Sequence, residues 1–119
     1  MLTVQFDGDV LRVRPDGPIT REDVTTLTRT VDEYLADHPK IAGVMVETRT
    51  FPGFASVGAF ADYARFIADH HARVRRLALV TDSALAPVAE FMANHVVGLE
   101  MRHFPFAEGT AALAWLRSS

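Results

Sequence analysis

The sequence predicts an α/β domain: a single-layer, mixed five-stranded sheet with parallel central strands and four helices. Three observations carry that expectation. Ile41-Ala42-Gly43-Val44-Met45-Val46 and Leu77-Ala78-Leu79-Val80 are continuous apolar runs too short for helices, which is how strands covered on both faces read. Around them lie stretches with apolar residues three and four apart, the period of a helix with one packed face. The chain also opens on two alternating segments, Leu2-Val4-Phe6 and Val10 to Arg14, joined through Asp7-Gly8-Asp9; Asp-Gly between alternating strands is a strong hairpin signal. A hairpin followed by strand–helix–strand units implies right-handed crossovers and a parallel centre.

Each element then has its own punctuation. Pro15-Asp16-Gly17-Pro18 stops the second strand with turn chemistry. Thr20 stands three residues before Asp23, so hydroxyl and carboxylate can satisfy the first free amides of a helix. Val24, Leu27, Val31 and Leu35 form that helix's packing stripe, and it ends before Pro39. Ser56 is positioned to cap a second helix running to about His71, with Val57, Phe60, Ala61, Ala64, Ile67 and Ala68 as its core stripe and Tyr63 and Phe66 outside it. After Leu77–Val80, Asp82 or Ser83 caps a third helix, with Pro87 in its first turns and Val88, Phe91 and Met92 inward. Leu99, Met101 and His103 alternate as a fifth strand, and residues 108 to 117 form a last helix packed through Ala112, Leu113 and Leu116, with Trp115 at the margin.

The chain has 119 residues, 49% apolar and 23% charged, which fits one domain over residues 1–119. At that size roughly two-thirds of the unfolded surface is buried on folding. There is no cysteine, which removes disulfides, thiolate nucleophiles and cysteine-bound metals and fits a reducing cytoplasm. A net charge of -3 with a pI near 5.9 gives no footprint for nucleic acid. No apolar run approaches membrane-spanning length and no signal peptide precedes the first strand, so a cytoplasmic protein is expected. The mean hydropathy of +0.10 is nonetheless positive for so short a chain.

Phe51-Pro52-Gly53-Phe54, Phe60-Ala61-Asp62-Tyr63-Ala64-Arg65-Phe66, His70-His71 and Arg75 to Asp82, on this order of elements, resemble the SpoIIAA-like family of small bacterial proteins within the STAS superfamily of sulfate-transporter and anti-sigma-factor-antagonist domains. The resemblance covers nearly the whole chain, to Ala114-Trp115-Leu116, through aromatic and apolar positions instead of a catalytic signature. It implies the fold more firmly than a function. For the superfamily's better-known members it implies a protein-interaction switch controlled by phosphorylation of a serine at the matching position, Ser56; those switches place an aspartate before the serine, and this chain has Ala55.

For the closer family, the resemblance implies a hydrophobic ligand site or a membrane-associating surface around the aromatic loop and second helix. The residues support that separately. Phe51, Phe54, Phe60, Tyr63 and Phe66, five of the eleven aromatic residues, fall within sixteen positions, with Gly53 and Gly58 flanking the loop. They could equally fill a core or a dimer interface. The expected ligand site uses Phe51, Phe54, Phe60 and Tyr63 for apolar contact and Arg49, Asp82 and Ser83 as a polar mouth at the carboxyl ends of the strands, where ligands favour such sheets. The expected partners are a hydrophobic small molecule or lipid, a membrane surface and a second copy in a homodimer, without nucleic acid.

Chemistry has few footholds. None of His38, His70, His71 and His95 has a second ligand three or four residues away, so no helical metal motif is read and no cofactor is expected. No serine sits in a nucleophile elbow, and glycine-rich phosphate loops are missing. Glu47 and Arg49 are two apart and read as an ion pair. Arg73, Arg75 and Arg76, beside His70 and His71, read either as cations complementing a helix end or as a patch for an anionic headgroup. A non-catalytic domain is the resulting expectation.

Overall fold

A computed structural model describes residues 2–83 and 100–118. Within them five strands form one sheet in the order β1-β2-β3-β4-β5: β1 (Leu2–Asp7), β2 (Val10–Pro15), β3 (Gly43–Glu47), β4 (Arg76–Val80) and β5 (Glu100–Phe104). The first pair is antiparallel and the others are parallel. The helices among the described residues are α1 (Arg21–Asp37), α2 (Val57–His70) and α3 (Gly109–Arg117), with 3-10 turns at His71–Arg73 and Phe106–Glu108. The helix expected around Pro87, with Val88, Phe91 and Met92, and the strand position Leu99 lie outside the described residues.

The local signals act as their chemistry requires. Gly8 takes φ 63° at the first position of the two-residue turn between Asp7 and Val10, the site where a type II′ hairpin calls for glycine. The Thr20 hydroxyl accepts the Asp23 N–H at 3.1 Å while the Asp23 carboxylate accepts the Thr20 N–H at 3.0 Å, closing a reciprocal cap. α1 buries Val24, Leu27, Val31 and Leu35 as its period predicts.

Side-chain alternation divides the sheet into two covered faces. Leu11, Val13, Leu77 and Leu79 point to the layer that carries α1 and α2. Val10, Met45, Ala78, Val80 and Phe104 point the other way, against Ala112 and Leu116 of α3, with Trp115 at the margin. There α3 lies so close to β3 that a Cβ at Gly43 would sit 2.7 Å from the Leu116 Cδ2.

Two expectations are corrected. On β5 Met101 packs against Ile67, Leu77 and Leu79 and Phe104 is buried on the opposite face, while His103 is exposed and holds the Thr81 carbonyl at 2.7 Å through Nε2. On α2 the packing face is Ala59, Tyr63, Phe66 and Ile67, and of the expected core stripe only Ile67 is buried. Val57, Phe60, Ala61 and Ala68 are exposed, and Ala64 is half-buried. Both faces of α2 are apolar, and the larger rings Tyr63 and Phe66 took the sheet, against Val44 and Val46.

Candidate functional site

The loops leaving the carboxyl ends of β3, β4 and β5 are tied into one rim. The Arg49 carbonyl accepts the Asp82 N–H at 3.0 Å and the Thr81 hydroxyl at 3.2 Å. Ser83 Oγ accepts the Phe51 N–H at 2.7 Å, and the Asp82 carboxylate accepts the Phe106 N–H at 3.0 Å. Arg49 faces Asp82 at 4.0 Å and lies over the Phe106 ring at 4.9 Å, yet its side chain is 75% exposed. Thus Arg49, Asp82, Ser83 and Phe51 do meet at the strand ends, with the Ser83 hydroxyl and one Asp82 oxygen holding backbone.

From Phe51 the chain turns through Gly53, at φ 79°, and clips onto the segment before α1: Ile19 N–H donates to the Gly53 carbonyl and Ala55 N–H to the Ile19 carbonyl, at 2.9 and 2.8 Å. This places Phe54 at the centre of the aromatic group. Its ring lies 5.9 Å from Phe51, 5.2 Å from Phe60 and 5.4 Å from Tyr63, in edge and tilted arrangements that suit the ring quadrupole. Burial pushes the Tyr63 phenol up to about 12, because an anion there would lose its water. The rings fill one another. Deeper in, between α2 and the sheet, a cavity of about 50 Å³ is bounded by Val44, Tyr63, Phe66, Ile67 and Leu77 among others, room for little more than a water molecule or two.

The outward face of α2 is different in kind. Val57 is 86% exposed and Phe60 43% exposed, and Ala61 and Ala68 continue their row along the helix. The cap beneath this row is Ser56, exposed, whose Oγ accepts the Ala59 N–H at 3.1 Å. Arg21 folds against Gly58, its guanidinium 3.2 Å from where a Cβ would stand, and donates to Asp62 at 2.8 Å.

The expected Glu47–Arg49 pair does not form. Glu47 instead takes two bonds from Arg12, at 2.8 and 3.1 Å, and lies 3.4 Å from Arg14, because the neighbouring strand presents these cations on the same face while Arg49 has left the strand. The Glu47 carboxylate in turn raises the Arg12 guanidinium above its ordinary value. Arg73, Arg75 and Arg76 each bind carbonyls at helix ends. Arg73 reaches the carbonyls of Leu35, in the last turn of α1, and of His38 and Pro39 after it, at 3.1 to 3.4 Å. Arg75 bonds the Leu116 and Ser118 carbonyls, and Arg76 bonds the Trp115 carbonyl, Ser118 and the Glu100 carboxylate, closing α3. The three guanidiniums therefore serve helices on opposite faces of the sheet.

A feature the sequence did not indicate is the groove between α1 and α2, about 750 Å³, which includes Val24, Thr28, Asp32, Arg65 and Phe66 in its walls. At one end His70 joins the helices: Nε2 meets Asp32 Oδ1 and Nδ1 meets the Phe66 carbonyl, both at 2.8 Å, with the ring stacked on Phe66. Only the packing of two helices brings Asp32 and His70 together, so no local spacing signals it. Among the described residues, no three histidine or carboxylate side chains converge on a metal-sized space, and no helix is long and apolar enough to cross a membrane.

Fold and rim define a class: a small mixed-sheet α/β domain whose strand ends and second helix carry an aromatic surface. The SpoIIAA-like family model matches residues 10–117, and the chain belongs to that family, within the STAS superfamily. Among solved structures, an uncharacterized protein of the DUF3478 family from Shewanella loihica PV-4, with a SpoIIAA-like fold, is similar at TM-score 0.75 and 23% identity, over 98% of this chain and 92% of that one. No curated protein matches the sequence.

Proposed function

We propose that this SpoIIAA-like domain is a non-catalytic module that attaches reversibly to lipid through the outward face of α2 and the aromatic loop, with Phe60 and Val57 as the contact and Phe51, Phe54 and Tyr63 as the support behind them. The observation that carries this reading is the exposure of Val57 and Phe60 on an apolar row of α2 that faces away from the sheet; large apolar side chains left on a surface in this way mark contact sites. Because the rings behind the surface already fill one another, lipid contact at a face fits this geometry better than cargo enclosed among the rings. The available energy is modest. Removing the exposed parts of Val57 and Phe60 from water is worth on the order of 3 kcal/mol, which is the scale of reversible attachment. Arg49, at the rim with its side chain largely in water, is placed to meet polar headgroups beside that face.

Flotation with phosphatidylcholine vesicles, with and without phosphatidylglycerol, tests it. Wild-type protein should float with the vesicles, and Phe60→Asp should stay in solution while keeping its fold. Unaltered flotation of Phe60→Asp would overturn the assignment. Replacing Arg73, Arg75 and Arg76 by glutamine tests a headgroup contribution, and unchanged binding to the anionic vesicles would remove it. Native mass spectrometry distinguishes a bound hydrophobic small molecule, which appears as added mass without vesicles.

A second reading has its own observation. Ser56 is exposed at the start of α2 with the Arg21 guanidinium against Gly58, so a phosphate there would meet free helix amides and a cation. The domain would then be an interaction switch. Incubation with lysate and ATP followed by phosphosite mapping tests it: modification at Ser56 supports the switch, and an unmodified Ser56 removes it.

A further inference from the structure

We propose that β1 is a self-association edge: two copies pair antiparallel about a two-fold axis through Val4, joining their sheets into one. Among the described residues β1 is bonded on one side alone, to β2. Exposed edges are ordinarily guarded by charge, proline or a bulge. Leu2-Thr3-Val4-Gln5-Phe6 carries neither charge nor proline, and every residue from Leu2 to Asp7 has a single partner on β2, so no bulge interrupts it.

The backbone parity selects the partner. Asp7 and Val10 close the two-residue turn and are therefore a bonded pair, which makes Gln5↔Arg12 and Thr3↔Arg14 the next bonded pairs. The N–H and C=O groups of Leu2, Val4 and Phe6 consequently point outward. Pairing about Val4 sets Val4 against Val4 and Leu2 against Phe6, and each of these is a pair whose outward groups can bond each other. The side chains agree. Leu2, Val4 and Phe6 are half-buried at the margin of the α1 layer, with Phe6 stacked on Tyr34 at 4.1 Å, and a second copy would cover them with the same three residues. On the other face exposed Thr3 meets Gln5, so no like charges oppose across the central pairs.

An axis normal to the sheet keeps α1 and α2 of both copies on one side. Two α2 faces then look the same way, which multiplies a weak surface attachment through effective concentration. The pairing itself does not depend on the lipid reading and is measured without lipid.

The absence of cysteine makes the register directly testable. Thr3 and Gln5 of opposite copies would form a non-bonded pair, close enough for a disulfide. Under mild oxidation a mixture of Thr3→Cys and Gln5→Cys proteins should give cross-linked dimer, and either protein alone should give little. In sedimentation equilibrium the wild type should be a dimer. Val4→Pro, which removes an outward N–H and leaves the β2 ladder intact, should raise the dissociation constant at least about tenfold, one broken set of edge bonds being worth that much. A monomer at every concentration, or a dimer that the mixed cysteines fail to cross-link, overturns the proposal. The cysteine proteins keep the test valid should Val4→Pro fail to fold.

Discussion

Single residues fix the close approaches on which the layers depend. Gly43 lets Leu116 seat against β3, and adding one methyl forces α3 outward or strains the strand. Gly43→Ala should therefore destabilise the protein by about 1–3 kcal/mol, the usual cost of overpacking, as a lower urea midpoint with an unchanged slope. Tyr63 gives a pH signature. Its phenol is raised to about 12 in the folded state against about 10 unfolded, so the unfolded chain loses this proton first. The stabilising contribution is complete below pH 10 and disappears as pH rises through about 12. Tyr63→Phe should flatten that part of the stability curve in denaturation measured across alkaline pH, and an identical slope in both proteins would contradict the burial. Glu47 shows why such residues were only partly legible. Its neighbour two positions along was in view, but Arg12 faces it through strand pairing that register alone establishes. Gly43 was legible as part of a strand, whereas its role waits on a helix near the other end of the chain.

Elements were legible where one signal dominated. α1 has a single apolar stripe and a reciprocal cap, so its start, packing face and end could all be read. Thr20→Ala should cost about 0.5–2 kcal/mol in thermal or chemical unfolding, since one helix amide loses its acceptor and Asp23 its reciprocal partner. α2 has two apolar faces, and period alone does not choose between them. The sheet chose Tyr63 and Phe66, which reach Val44 and Val46, and left Val57 and Phe60 outside. That choice gives an expectation opposite to the one for a core stripe. Val57→Asp should change stability by no more than about 0.5 kcal/mol, as surface substitutions do, and Phe60→Asp by about 0.5–1.5 kcal/mol, the worth of its ring contact with Phe54. A loss of several kcal/mol in either would place that side chain in a packed interior. The rim residues Arg49, Asp82 and Ser83 were legible as a group because strand ends converge in a parallel sheet, while the backbone bonds that occupy Ser83 and Asp82 were not.

At the scale of the molecule, a mixed sheet with a parallel centre followed from two apolar runs and a hairpin, because crossover handedness leaves few ways to arrange them. What those runs could not indicate is the surface each layer presents. The positive mean hydropathy arises partly from strands covered on both sides and partly from an α2 face on which Val57 and Phe60 remain exposed. The account therefore turns on that face meeting lipid. The most direct measurement is paramagnetic broadening of backbone amide signals by bicelles carrying a gadolinium-chelated lipid. Broadening concentrated at residues 54 to 68, strongest around Val57 and Phe60 and weak on α3, is the predicted result. Broadening centred on Arg73 to Arg76, or spread evenly over the surface, would contradict it.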